Sequence, residues 1–302
     1  MRVLVLGAGG MLGHKLWQVL QPRFDTWATV RTPRVASATW GFYDATRLLC
    51  RVDAADFDTV VRAVAAVQPD AVVNAIGIVK QLPAASDTIQ TLTINALFPH
   101  RLAALCQAAH ARLIHVSTDC VFSGRRGNYT EDDEPDAADL YGRSKALGEV
   151  AGRGCLTLRT SMIGRELAGA TGLLEWFLSQ RTRTVQGFTR AVFSGLPTIA
   201  LAGIVAELLA SYPDLDGMYH VSADPISKFD LLCLLRDALH LDVAIEPNRE
   251  MDIDRSLDSR RFRAATGLAI PSWPRLVGDL ASDPTPYDLM RSESCSSMAN
   301  AS

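Results

Sequence analysis

The sequence predicts a doubly wound α/β fold, a parallel sheet with helices on both faces, joined to a smaller C-terminal part. Three observations carry this. Short continuous apolar runs recur (Arg2 to Leu6, Ala71 to Ile76, Leu113 to Val116), the mark of strands buried on both faces. Helical patterns alternate with them over about the first 120 residues, as in successive parallel βαβ units. The first run passes directly into Gly7-Ala-Gly-Gly-Met-Leu-Gly13 and then into a helical pattern from His14 to Leu20, ended by Pro22.

The strand–turn–helix context is what a dinucleotide fingerprint requires. Gly7 allows the tight turn, Gly9 and Gly10 let backbone amides approach a pyrophosphate, and Gly13 allows close helix–strand packing. Because position 12 is leucine, the spacing is Gly-x-x-Gly-x-x-Gly and not strict G-x-G-x-x-G. A glycine turn without a ligand is the plainer alternative. Thr26 to Val30 is the second strand, followed by Arg31 about 20 residues past the glycines, where arginine suits the 2′-phosphate of NADP and an acid would suit NAD. Arg34 adds to the same expected pocket; a solvated loop arginine is the alternative at Arg31.

Leu48 to Val52 reads as a third strand closing on Asp53, and Phe57 to Val67 has helical period. Asn74 to Gly77 follows a buried strand, at the edge where open α/β sheets bind ligands. A long helix is expected from Ser86 to His110, irregular near Pro99, with Asn95 either a polar group near the site or a cap. The strand from Leu113 ends in Ser117, Thr118 and Asp119. Asn128 to Asp139 holds six acidic residues and reads as a solvated loop. A helix from Leu140 to Ala151 carries Tyr141 and Lys145 on one face. An ammonium beside a phenol lowers the phenol's pKa, and a tyrosine so tuned can exchange a proton with a carbonyl oxygen. Alone, Tyr-x-x-x-Lys reads first as a solvated helix face; the glycine-rich first turn is what favours the catalytic reading.

Cys155 to Thr160 is a further strand, followed by looser patterns: helices at Gly172 to Ser179, Thr198 to Tyr212 and Ser227 to Leu239, and strands at Gly217 to Val221 and Val243 to Ile245. The division expected is a dinucleotide-binding (Rossmann) domain over 1–160, an interleaved substrate domain over 161–282 that returns a strand to the sheet, and a flexible tail over 283–302.

Composition excludes several classes. The 302 residues are 48% hydrophobic and 21% charged with a formal net charge of −3, an ordinary globular balance with no basic excess for nucleic acid. No apolar run approaches the roughly 20 residues of a membrane span, and the N-terminus lacks signal-peptide order. Six dispersed cysteines without a Cys-x-x-Cys pair argue against zinc or a disulfide framework and for reduced thiols in a cytoplasmic protein. His115, inside an apolar strand, reads as a core histidine, His14 as an ordinary helix residue, and the tryptophans show no spacing of a stacking platform.

Together, Gly7-Ala-Gly-Gly-Met-Leu-Gly13, Ser117-Thr-Asp-Cys-Val-Phe-Ser-Gly124, Tyr141-Gly-Arg-Ser-Lys145 with Gly148-Glu149, and Leu158-Arg-Thr-Ser161 resemble the extended short-chain dehydrogenase/reductases, and within them the dTDP-4-dehydrorhamnose reductase family. Gly195 to Thr198, Gly217 to Val221 and Arg255 to Asp258 match more weakly; the similarity spans roughly 1–282. The resemblance implies NADPH-dependent reduction (NADH as the alternative) of the C4 keto group of a nucleotide-linked 4-keto-6-deoxy sugar in deoxysugar or surface polysaccharide biosynthesis. It implies catalysis by Thr118, Tyr141 and Lys145, with Lys145 also on the nicotinamide ribose. Cofactor contacts would come from Gly7, Gly9, Gly10, Met11, Leu12, Arg31, Asp53, Ala54, Ala75, Ile76, Gly77 and Ser117. Asp119, Val121, Phe122, Arg159, Thr160 and Ser161 would face the substrate.

Departures qualify it. Cys120 stands where related dehydratases have a catalytic glutamate, which argues against dehydration, and Met162 replaces a tryptophan of the rhamnose reductases. No acidic cluster matches the interface magnesium site of some relatives, so no metal is expected, and a homodimer is left open. A UDP-linked 4-keto-6-deoxy-N-acetylhexosamine reductase fits equally. A C4 epimerase and a non-catalytic NADP-binding regulatory subunit are the competing classes.

Overall fold

The computed structural model describes residues 1–33, 40–80, 86–288 and 290; Arg34 lies outside them. In chain order the strands are β1 (Arg2–Leu6), β2 (Asp25–Val30), β3 (Leu48–Cys50), β4 (Ala71–Asn74), β5 (Arg112–Thr118), β6 (Cys155–Thr160), β7 (Met162–Ile163), β8 (Thr184–Phe193), β9 (Leu196–Pro197), β10 (Gly217–His220), β11 (Ile226–Ser227) and β12 (Ala244–Asp254). Seven of them form one parallel sheet in the order β10-β6-β5-β4-β1-β2-β3. The outward steps to either side of β1 create the reversal of strand order at which open α/β sheets bind ligands. The predicted doubly wound fold is therefore the observed one.

Burial follows the pleat. Val3 and Val5 of β1 pack with helices Gly13–Leu20 and Thr198–Ser211 on one face. Leu4 and Leu6 pack with helices Phe57–Val67 and Phe98–Ala108 on the other. Strand β10 returns from the C-terminal half to the sheet edge beside β6. A second sheet, β11-β8-β12, pairs β8 with β12 in parallel and β11 with β8 antiparallel.

Three expectations gain detail. The long helix is Thr88–Thr91, a wide π-type turn over Leu92–Leu97, then Phe98–Ala108; the irregularity falls just before Pro99, which has no N–H to give the preceding turn. The acidic loop is exposed over much of its length, as expected, and is also tied to the C-terminal half. Tyr129 bridges to Leu257, the Glu131 carboxylate accepts the His220 N–H at 2.8 Å, and Asp132 pairs with Arg261 at 2.5 Å. The segment after Ser282, expected to be a flexible tail, packs at its start. Asp283 pairs with Lys15 at 2.5 Å, and Tyr287 and Met290 are buried, because apolar and charged partners on helix Gly13–Leu20 and around it receive them.

Candidate active site

The glycine-rich turn is built for close approach. Gly7 has φ +83°, and a Cβ at Gly13 would lie 2.1 Å from the Gly7 carbonyl oxygen, so neither position accepts a side chain. The Gly10 N–H donates to the Gly7 carbonyl at 3.0 Å, and the Tyr43 hydroxyl to the Ala8 carbonyl at 2.5 Å. Beneath the turn, Trp17 and Trp40 pack with Tyr43 in an aromatic cluster, with Trp40 against Gly9. Their wide sequence spacing concealed this grouping. Arg31 follows β2 on the surface, and Asp53, whose carboxylate accepts the Ala55 N–H at 2.9 Å, follows β3 beside buried Ala54.

From the turn, contacts run directly to the helix Leu140–Leu147. Gly7 abuts Ala75 and Ile76 after β4, and a Cβ at Gly77 would be 3.9 Å from the Lys145 ammonium. Lys145 is 5% exposed and donates to the Val116 carbonyl of β5 at 2.9 Å. Burial brings its pKa down to about 8, with Glu149 working in the opposite direction. Asp139 caps this helix by accepting the Gly142 N–H at 2.9 Å. Asn95, on the π-type turn, joins both sides: its Oδ1 accepts from the Ile78 N–H at 2.9 Å, and its Nδ2 donates to the Ser144 hydroxyl at 3.3 Å. It is a polar bridge beside Lys145.

Thr118 ends β5. Its hydroxyl accepts the Cys120 N–H at 3.1 Å and donates to Asp119 at 3.1 Å, and the Tyr141 phenol lies nearby. The phenol's pKa is raised, first by burial and then by the neighbouring Cys120, while Thr118 opposes the rise. This corrects the expected lowering: the Lys145 ammonium is turned to the Val116 carbonyl, and desolvation of the phenolate dominates. Burial and then Asp119 push the Cys120 thiol up to about 12, and burial raises Asp119 itself.

Several assigned residues face elsewhere. Ser117 donates to Glu149 at 2.7 Å and does not point to the cofactor side. Arg159 forks onto the same Glu149 with two 2.7 Å bonds, and at 4% and 6% side-chain exposure this pair is internal. Val121 and Phe122 are fully buried, with Phe122 stacked on Tyr129 at 4.2 Å, and Thr160 is buried and bonds the Ser161 carbonyl. Asp119 remains at the site, and Ser161 is half-buried.

Two cations were missed. Lys228, after β11, lies over the Phe193 ring at 4.2 Å, and Arg255, after β12, donates to the Phe122 carbonyl at 2.8 Å. Both lower the pKa of Asp119, so the C-terminal half brings positive charge to the end of β5. Only the weak Arg255 to Asp258 motif hinted at either. His115 is buried as expected, with Nδ1 3.0 Å from the Asn74 amide. Among the described residues no group of three or more His, Cys, Asp or Glu is placed to hold a metal ion, and no helix is long and apolar enough to cross a membrane.

Residues 1–281 match the family model described as RmlD substrate binding domain. A dTDP-4-dehydrorhamnose reductase of Mycolicibacterium smegmatis is 34% identical over 152 residues, half of this chain and 41% of that protein. Methionine adenosyltransferase 2 subunit beta of Mus musculus is 26% identical over 80% of this chain and 72% of its own length. A hypothetical dTDP-4-dehydrorhamnose reductase from Sulfolobus tokodaii superposes with a TM-score of 0.74 at 25% identity, covering 90% of this chain and 98% of its own. Its extent and its fold together place the chain in the RmlD substrate-binding-domain family, among the extended short-chain dehydrogenase/reductase-like proteins.

Proposed function

We propose that the chain is an NADPH-dependent oxidoreductase that reduces the C4 keto group of a nucleotide-linked 4-keto-6-deoxy sugar. One observation supports the reading: the Thr118 hydroxyl at the end of β5 neighbours the Tyr141 phenol, and the Lys145 ammonium is buried on the same helix against the Val116 carbonyl, beside Gly77 and the glycine-rich turn. The turn from Gly7 to Gly13 would hold the dinucleotide's pyrophosphate, and Arg31 would favour a 2′-phosphate. When bound, the dinucleotide supplies a hydride to the sugar carbon.

The chain's own groups handle the oxygen. Thr118 turns its one hydroxyl hydrogen from Asp119 to this oxygen as charge develops. Tyr141 gives its proton to that oxygen and yields the alcohol; a phenol whose pKa burial raises remains protonated at neutral pH and is ready as the donor. Lys145 stays largely charged at pH 7 with its pKa near 8, close enough to Gly77 to meet the cofactor's middle and steady the transient phenolate. Asp119, Ser161, Met162 and the cations Lys228 and Arg255 bound the substrate side.

The likeness to a protein named as an adenosyltransferase subunit favours a second reading, a dinucleotide-binding subunit without turnover. NADPH oxidation against dTDP- and UDP-linked 4-keto-6-deoxy sugars separates them. Turnover of one sugar, reduced at least 100-fold in Tyr141→Phe as expected for lost acid catalysis, supports the reductase. NADPH binding with no turnover across the panel rejects it.

A further inference from the structure

Residues 283–288 close over the helix that follows the glycine-rich turn, and their polar groups end on that turn. Gly10's carbonyl can only accept, so the His14 Nδ1 that lies 2.9 Å from it carries the ring hydrogen. His14 is fully buried, and burial takes its pKa down to about 4, so the ring is neutral and Nε2 is an acceptor. The Tyr287 hydroxyl lies 2.8 Å from Nε2 and 3.0 Å from Asp283 Oδ2, and shares its one hydrogen between them. Asp283 is neutralised by Lys15, and Thr285 bonds Lys15 at 2.8 Å and Gln18 at 3.1 Å. Asp283, Thr285 and Tyr287 therefore direct their polar groups to helix Gly13–Leu20, while the exposed Asp288 reaches Arg165.

We infer that Tyr287 and His14 are positioning residues for dinucleotide binding, and that the segment 283–288 is the strap that sets the glycine-rich turn. The inference rests on the reading that this turn holds a dinucleotide. Its physical basis is peptide planarity. In a trans peptide the C=O of Gly10 and the N–H of Met11 point in opposite directions. Holding the Gly10 carbonyl toward His14 therefore aims the Met11 N–H away from the helix, the direction an anion at the turn needs. The strap also reaches the segment after β7. Arg165 lies over the Tyr287 ring at 4.8 Å and bonds Asp288 at 2.9 Å and Glu175 at 2.7 Å. That segment returns to the turn, because a Cβ at Gly172 would sit 2.7 Å from the Met11 side chain. Turn, strap and the Arg165–Glu175 segment thus form one closed ring of contacts.

Tyr287→Phe removes the hydroxyl and keeps the ring. Its test is the NADPH and NADH dissociation constant by fluorescence titration, read beside Tm, with Tyr212→Phe as the control for loss of a buried phenol hydrogen bond elsewhere, here to the Thr266 carbonyl. The expected result is dinucleotide binding weakened about fivefold in Tyr287→Phe, the scale of one net hydrogen bond, with the constant unchanged in Tyr212→Phe at a comparable loss of Tm. Equal binding by Tyr287→Phe and the unaltered chain overturns the strap while leaving the dinucleotide reading intact, and equal weakening in both variants overturns it as a mere stability effect. Failure of the unaltered chain to bind either dinucleotide overturns the parent reading and the strap with it.

Discussion

At the scale of single residues, the buried pair of Arg159 and Glu149 is the sharpest case. Two 2.7 Å bonds join them, Ser117 adds a third, and both side chains are almost wholly out of water. Breaking such a pair from one side strands the other charge at a cost of about 3–5 kcal/mol, whereas replacing both partners by apolar groups is often neutral. Glu149→Gln should therefore lower the urea midpoint strongly, and Glu149→Leu combined with Arg159→Met should restore most of it. A single variant as stable as the unaltered chain would show the pair to be idle. Both residues were legible as motif members, and Tyr141 and Lys145 were legible through helical spacing. What a motif match does not carry is the direction of each side chain, and Ser117, Arg159 and Phe122, assigned as ligand contacts through the family resemblance, turn to Glu149 and Tyr129.

At the scale of elements, the helix Leu140–Leu147 is held where two glycines let backbones meet. A Cβ at Gly148 would lie 1.8 Å from the Asn95 carbonyl oxygen, and one at Gly142 would lie 2.3 Å from that of Cys120. The π-type turn and the glycine fit each other, so the irregularity before Pro99 serves packing beside Lys145. Gly148→Ala should push the helix away from the Asn95 bridge, costing about 1–3 kcal/mol as overpacking does and reducing turnover more than NADPH binding; paired titrations and kinetics check both. The parallel sheet was readable because buried strands are apolar throughout. Strand β8 was not, β12 was read only at its start, Val243 to Ile245, and the reasons are visible. Gly187 and Thr189 interrupt the apolar inward row of β8, and β12 is mostly exposed, with Pro247 and several charges along it. Their pairing is stabilised by each other and by contacts such as Gly187 against Phe229, which no local pattern announces.

At the scale of the whole molecule, two buried histidines sit where the C-terminal half meets the sheet. His14 joins the turn to Tyr287, and His220 of β10 faces the Tyr129 carbonyl at 3.0 Å and Arg159 at 3.3 Å. Burial, the largest cause for each, lowers both pKa values from 6.5 to about 4; for His220 the Arg159 charge acts in the same direction. An unfolded chain takes up protons on these rings from about pH 6.5 downward, and the folded chain does so only near 4. The stability they confer is therefore complete above pH 6.5 and lost as pH falls toward 4, by up to about 3 kcal/mol for each ring. Lys145 acts at the other end: with a folded pKa near 8 against 10.5, its contribution rises with pH between those values. Urea midpoints measured from pH 4.5 to 9 should then fall steeply below 6.5, stay level to about 8 and rise slightly beyond. A midpoint independent of pH between 6.5 and 4.5 would mean that these rings are protonated within the fold. In that event the His14–Tyr287 contact would run with the imidazolium as donor, and the acid limb of stability would come from the carboxylates alone.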